Sequence, residues 1–216
     1  VIRQARSEAT RRRIIDAAVD LFSEKGYPAT SLGDIIDRAE MTKGALYYHF
    51  DSKEALAAVI IAEGGARLRG TFDTIGDTSS PALESVIHGT FMVVDQIAAD
   101  RLARVGISLL RVFAGYSEAA QRTYHGWLTA MADDLARGQS EGDVRDDVDI
   151  VAVSETLVGA FIGSGLLSDA TSGGTDLRDR VARLFRLVLP AIVTDESKEY
   201  FAEFLARETR PRPPQA

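Results

Sequence analysis

Residues 42–53 read TKGALYYHFDSK and bring together an ammonium (Lys43), two phenols (Tyr47, Tyr48), an imidazole (His49) and a glycine (Gly44). These groups can donate to phosphate oxygens and to base edges, and the glycine lets backbone come close to a partner. Thr42 and Ser52 are hydroxyl residues of the kind that cap helix N-termini, so a short helix is expected from Thr42 to about Phe50, with the next one starting behind Ser52. At helical spacing Leu46 and Phe50 share an inward face, whereas Gly44, Tyr47 and Tyr48 share the opposite one with Lys43 beside them. The chain has no asparagine, and Met41 to Phe50 holds no arginine or glutamine, so the bidentate arginine–guanine and glutamine–adenine pairings are missing there. Sequence would be read thinly, by Lys43, by Thr42, by Gly44 against a thymine methyl and by Tyr47, with DNA shape supplying much of the remainder. An ordinary short helix with half-buried tyrosines and a solvated lysine would use the same residues.

The elements upstream weigh against that alternative. Ile14, Ala18, Leu21 and Phe22 form an apolar stripe in a helix from about Ser7 to Lys25, and Gly26 follows where a helix-ending glycine would stand. Ser31 caps a second helix carrying Leu32, Ile35, Ile36 and Ala39 on one face, with Asp34 three residues on as a capping-box partner. Only a tight turn fits between Ala39 and Thr42. Two short helices joined by such a turn and braced by a longer first helix are a helix-turn-helix, and the second would be the reader. Arg3, Arg6, Arg11, Arg12 and Arg13 stand against Glu8 alone in the first thirteen residues, a cationic arm expected to touch phosphate or the minor groove. The net charge of −7 does not oppose this. Residues 1–54 hold nine basic and nine acidic residues, so the excess acid lies beyond the reader.

The run from Arg12 to Leu56, RRIIDAAVDLFSEKGYPATSLGDIIDRAEMTKGALYYHFDSKEAL, resembles the DNA-binding domain of TetR-family transcriptional regulators. The resemblance rests on Leu21-Phe22, Gly26-Tyr27, Thr30-Ser31 and the stretch ending in Tyr48-His49-Phe50. It implies a homodimeric, all-helical repressor whose C-terminal helices bind a small effector and pair the protomers. It also implies that Tyr48, His49 and Lys53 hold phosphates and that Thr30 and Ser31 anchor the leading end of the second helix, alongside Arg11 and Arg12 of the arm. A two-fold dimer would set two recognition helices ~34–36 Å apart on a palindromic double-stranded operator.

Composition excludes several other classes. Without cysteine there is no disulfide framework, no thiolate metal site and no thiol catalysis. The three histidines, His49, His88 and His125, are scattered, and GxSxG, GxxxxGK[ST] and HExxH are all missing, which argues against an enzyme and calls for no cofactor or metal. No basic-plus-apolar leader and no bilayer-length apolar stretch is evident, so the expectation is a soluble cytoplasmic protein without a membrane partner.

The rest of the chain reads as helix, giving an all-α fold: residues 1–52 a DNA-binding domain, 53–76 a connecting helix, 77–208 an effector-binding and dimerisation body, 209–216 a disordered tail. Breaks are expected at Gly76–Pro81, Gly115, Gly142-Asp143, Ser172–Gly174 and Pro190. Bulky apolar groups on the body helices could enclose a cavity: Thr90, Phe91 and Val94; Leu109, Leu110 and Phe113; Tyr124, Trp127, Leu128 and Met131; and Phe161. With no carboxylate or guanidinium evident on those faces, the effector would be uncharged and mostly apolar. The TKGALY run, the lone Trp127 and Asp147-Val148-Asp149 ahead of Thr156-Leu157-Val158 resemble the γ-butyrolactone receptor branch of the same family. That implies a butyrolactone-type effector in a pocket containing Trp127, whose indole N–H would donate to a lactone carbonyl. An effector-independent DNA-binding protein is the main alternative.

Gly159, Gly163 and Gly165 crowd one helix although each costs ~1 kcal/mol there relative to alanine, which points to close helix approach. With Leu177, Val181, Leu184, Phe185 and Val188 on the next helix, Gly159 and Gly163 are expected at a two-fold, four-helix dimer interface. Gly64-Gly65 in the connecting helix either absorbs a bend or admits a close neighbour.

Overall fold

The computed structural model describes residues 2–76 and 81–210. Among them are ten helices: α1 (Ile2–Lys25), α2 (Leu32–Arg38), α3 (Lys43–His49), α4 (Lys53–Gly76), α5 (Ala82–Ala99), α6 (Arg101–Phe113), α7 (Glu118–Glu141), α8 (Ile150–Ser172), α9 (Leu177–Ile192) and α10 (Lys198–Glu208). The described residues form no strand, only an isolated antiparallel bridge between Val144 and Val193. The fold is all-α. The expected break at Gly76–Pro81 and the tail beyond Arg210 fall on or run into positions outside the described residues.

The chain divides into two compact units, the first holding the chain up to Leu68 together with Ile97–Thr123, the second holding Arg69–Gln96 together with the chain from Tyr124 onward. In the first unit Ile14, Ile15, Ala18 and Phe22 of α1 are buried, as are Ile35 of α2, Leu46 of α3, Phe50 and Leu56. Burial of each such Leu, Ile or Phe contributes roughly 1.5–3 kcal/mol. α6 also belongs here: it lies along α1 and buries Leu102, Val105, Ile107, Leu109, Leu110 and Phe113. Asp100 caps it by accepting from Leu102 and Ala103 N–H.

α4 passes α6 at Gly64. A Cβ there would stand 3.0 Å from Gly106 Cα and 3.0 Å from Leu102 O, and one on Gly65 would stand 2.7 Å from Thr123 Cγ2. The glycine pair therefore does admit close neighbours, in a helix that is continuous from Lys53 to Gly76.

The second unit packs around Leu83, Val86, Ile87 and Phe91 of α5, Leu135 of α7, Leu157 of α8, Val181 and Phe185 of α9, and Phe201 and Leu205 of α10. α8 ends at Gly173, in the left-handed region at φ 62°. Asp176 then accepts from Ser168 Oγ and Ser172 Oγ, both at 2.6 Å, and from Arg180 at 2.9 Å, which closes the α8–α9 turn. Those donors hold its carboxyl well below the usual carboxylate range, Arg180 foremost. Pro190 does not break α9. It stands in the last turn, where its missing N–H costs one hydrogen bond near a helix end.

Two expectations change. The cationic arm is the start of α1, which begins at Ile2 rather than near Ser7; nothing in IRQARSEA opposes a helix, and a helix does not thread a minor groove ~6 Å wide. The expected lack of a bilayer-length apolar stretch fails for α8, whose 23 residues are long and apolar enough to cross a membrane although its most apolar stretch is only 17% buried.

Candidate nucleic-acid interface

The reader is built from local signals. Ser31 and Asp34 form a reciprocal capping box: Ser31 Oγ accepts from Asp34 N–H at 3.1 Å, and Asp34 Oδ2 accepts from Ser31 N–H at 2.7 Å. Thr42 Oγ1 accepts from Ala45 N–H at 3.2 Å and starts α3, and Ser52 Oγ accepts from Ala55 N–H at 3.0 Å at the start of α4. Between α2 and α3, Glu40 takes φ 50°, a left-handed conformation that non-glycine residues adopt at a cost.

On α3 the inward and outward faces separate as expected. Leu46 and Phe50 are buried, while Thr42, Lys43, Gly44, Tyr47 and Tyr48 are exposed, Tyr48 by 76%. Lys43 Nζ lies 5.7 Å from the centre of the Tyr47 ring. Nothing stands within 4 Å of a Cβ placed on Gly44. Tyr48 and His49 meet edge to face at 5.0 Å. The outward face therefore offers one ammonium, two phenols and open backbone.

Other residues assigned to DNA have partners within the same unit. Arg11 Nη1 and Arg12 Nη1 lie 3.2 and 3.1 Å from the two oxygens of Glu63, and Arg12 Nε lies 3.1 Å from Asp16. Thr30 is buried, its hydroxyl donating to Gly26 O at 2.8 Å, so it anchors the turn rather than a phosphate. Ser31 Oγ is engaged with Asp34 on both sides. Lys53 Nζ donates to Tyr27 O at 3.0 Å and Thr30 O at 2.8 Å. The Tyr27 hydroxyl donates to Glu54 at 3.2 Å, and burial, with Glu54 nearby, pushes its pKa up to about 12. Sequence reasoning missed Glu63, and it set Arg13 in the DNA-facing arm, whereas Arg13 Nη2 donates to Ala39 O at 2.8 Å. Both act across more than twenty residues of chain, where no local periodicity reports them.

The expected effector residues divide between the units. Leu109, Leu110 and Phe113 are buried in the first, with Phe113 edge to face on Tyr27 at 5.0 Å, so they form its core and not a pocket in the second. Thr90, Phe91, Val94, Tyr124, Trp127, Leu128, Met131 and Phe161 lie in the second unit. Phe91 and Val94 are core, and the Thr90 hydroxyl donates to Val86 O at 2.7 Å. Tyr124, Trp127, Leu128, Met131 and Phe161 keep accessible surface, with Tyr124 and Trp127 edge to face at 6.1 Å. Charge does stand near these groups, contrary to expectation. The Arg178 guanidinium lies 4.8 Å over Phe91 and pairs with Asp95 at 2.6 Å. Asp134, one turn after Met131, pairs with Arg137 at 3.0 Å, and burial pushes its carboxyl above the usual range.

Of the residues expected at a dimer interface, Leu177, Val181 and Phe185 are buried in the chain's own core, α9 packing on α8 and α10 with Phe185 against Phe91 of α5. Leu184 and Val188 are half-buried, and Leu187 between them is 78% exposed. Gly159 and Gly163 have nothing within 4 Å of an added Cβ. Among the described residues no cluster of His, Asp and Glu has the makings of a metal site.

Residues 14–60 match the bacterial regulatory proteins of the tetR family, and residues 80–194 match the tetracyclin repressor-like C-terminal domain. The A-factor receptor protein of Streptomyces griseus is 36% identical over 192 residues, 88% of this chain and 66% of that protein, just under two thirds of its length. A crystal structure of a gamma-butyrolactone receptor (ArpA-like protein) has a TM-score of 0.77 at 27% identity, covering 94% of this chain and 98% of that one. CprB from Streptomyces coelicolor in complex with its biological operator sequence gives 0.73 at 27% identity, covering 94% and 97%. With both parts matched and the helix-turn-helix in place, the chain belongs to the TetR family of bacterial regulatory proteins.

Proposed function

We propose that this protein is a ligand-responsive transcriptional repressor that binds a palindromic operator as a homodimer and is released by a small, mostly apolar, uncharged effector. The observation that carries the reading is the outward face of α3, where Lys43, Gly44, Tyr47 and Tyr48 stand exposed on a helix anchored by buried Leu46 and Phe50. Operator-bound CprB, with a similar chain, supports the DNA partner. In this reading residues 1–52 are the reader, α4 is the connection, and 77–208 hold effector binding and pairing, with α6 packed into the reader's unit. The protein works in the cytoplasm, where its DNA is, and not as an enzyme.

The effector is of the γ-butyrolactone type, the class for which similar receptors are named. Trp127, with Tyr124, Leu128, Met131 and Phe161, supplies accessible apolar surface and one indole N–H, enough to orient a lactone carbonyl. Pairing uses α8 and the outer stripe of α9, where Leu184, Leu187 and Val188 join Gly159 and Gly163. A bilayer-length apolar helix with little burial inside its own chain is what an obligate interface looks like before its partner is added.

The test is selection of DNA by the purified protein, followed by affinity measurements on the selected palindrome with and without synthetic γ-butyrolactones. Release by a butyrolactone, lost in Trp127→Ala while operator binding persists, is the expected result. Tight operator binding unaffected by every lactone would favour effector-independent DNA binding instead.

A further inference from the structure

Trp127, Met131, Asp134 and Gly138 follow one another at three- and four-residue spacing and so share one face of α7. That face looks into the second unit: Met131 packs against its core, and a Cβ on Gly138 would stand 3.1 Å from Val144 Cγ2. Asp134 is thus an acid set one turn beyond accessible apolar groups, with its side chain only 15% exposed. A carboxylate so far out of water needs both oxygens engaged. Its Oδ1 lies 3.0 Å from Arg137 Nη2, but among the described residues its Oδ2 meets no donor. Arg137 Nη2 is itself buried and, in spite of that charge contact, is aligned for no hydrogen bond, while its Nε stands 3.7 Å from Glu141. Burial raises the Asp134 carboxyl against the pull of Arg137, and Asp133 and Asp73 add to the rise. The inward face of α7 therefore carries a desolvated acceptor beside a desolvated donor, neither satisfied within the chain.

We propose that Asp134 and Arg137 form the polar end of the effector site and select a ligand hydroxyl, whose O–H donates to Asp134 Oδ2 while its oxygen accepts from Arg137 Nη2. A hydroxyl supplies a donor and lone pairs from one uncharged atom, which is what the two open groups call for. A ketone or an ether meets the guanidinium alone, and a ligand carboxylate is repelled by Asp134. Trp127 stands seven residues earlier, ~10 Å along the helix axis. A ligand that reaches both ends therefore carries its hydroxyl out on the apolar arm, away from the carbonyl held by the indole. The assignment rests on the butyrolactone reading above and adds to it the residues that choose among such lactones.

The test is calorimetric titration of the full-length protein with synthetic γ-butyrolactones whose alkyl arm bears one hydroxyl at successive positions, each paired with its methyl ether. At the best position the alcohol is expected to bind at least tenfold tighter than the ether, the scale of a hydrogen bond to a charged group. Asp134→Leu is expected to bring that ratio close to one by weakening the alcohol and sparing the ether. Arg137→Met is expected to lower it part of the way. Equal binding of alcohol and ether at every position overturns the proposal. So does a variant in which both weaken alike, the mark of a residue that only holds α7 in place. Should Asp134→Leu fail to fold, Asp134→Asn keeps the shape without the charge, and the ratio is expected to fall several-fold. If no lactone binds, the butyrolactone reading fails by itself, and melting curves with 1-octanol and its isomer heptyl methyl ether decide on Asp134. The alcohol is expected to raise the melting temperature more than the ether in the unaltered protein and not in Asp134→Asn; equal effects of the two overturn the hydroxyl site.

Discussion

Gly64 of α4 and Gly106 of α6 meet without a side chain between them, each so close that a Cβ on one would stand 3.0 Å from the Cα of the other. Alanine at either place gains ~1 kcal/mol of helix propensity but must push apart two backbones, at a cost of typically 1–3 kcal/mol. Backbone cannot rotate aside as a side chain can, so the strain outweighs the propensity. Gly64→Ala and Gly106→Ala are each expected to lower the melting temperature. A rise in both variants would restore the bending role for this glycine pair.

Asp34 links α2 to the end of α1, accepting from Ser31 N–H, from Ser31 Oγ at 2.8 Å and from Lys25 Nζ at 3.0 Å. The backbone and hydroxyl donors of Ser31, then Lys25, lower its pKa from an ordinary 3.8 to about 2. A carboxylate depressed in the folded state stabilises fully above its unfolded value, and that contribution is lost as pH falls through the folded one. Thermal stability is therefore expected to decline between about pH 4 and pH 2, with Asp34→Asn less stable at neutral pH and flatter across that window. Parallel melting curves for the two proteins down to pH 2 would remove Asp34 from the acid response.

What the sequence made legible was local. Ser31, Thr42 and Ser52 cap helices, and Leu46 and Phe50 face inward, because caps and 3.6-residue periodicity are written within a few positions of each other. Partners distant along the chain were not legible. Five arginines near the start looked like a free arm, yet Arg11 and Arg12 share Glu63, and Arg13 reaches Ala39. Phe113 carries the same apolar signal whether it lines a pocket or packs on Tyr27. Gly64 and Gly65 were ambiguous for the same reason, since bends and close approaches both call for glycine. On α9 the periodicity found the apolar stripe of Val181 and Phe185 but not which side of it a second protomer would cover.

Gly159 and Gly163 differ from Gly64 in having open space where a Cβ would go. In an isolated protomer, alanine at either site should add ~1 kcal/mol of stability through helix propensity. If a second protomer seats on α8, the added methyl holds the helices apart. Gly159→Ala/Gly163→Ala is thus expected to weaken the dimer at least tenfold in sedimentation equilibrium, and Leu187→Glu more, by placing a charge in an apolar contact. Dimers as tight as the unaltered protein in both variants would move the interface away from α8 and α9.

Lys43 is exposed at the leading end of α3, with its ammonium 5.7 Å from the Tyr47 ring centre, while the chain offers no asparagine and this helix no arginine or glutamine for bidentate readout. One base-reading cation per half-site should give a specificity concentrated at few positions, each good contact contributing ~1–3 kcal/mol of discrimination. Lys43→Ala and Tyr47→Ala are expected to reduce affinity for the operator much more than for a scrambled duplex, and to relax preference at the base pairs they read. Tyr48→Phe should instead weaken both DNAs alike, as loss of a phosphate-directed hydroxyl would. Competition assays on the two duplexes at one fixed salt concentration separate the cases, because non-specific binding carries the electrostatic contribution alone. Equal losses on operator and scrambled DNA for Lys43→Ala would strip it of base reading and leave operator choice to DNA shape.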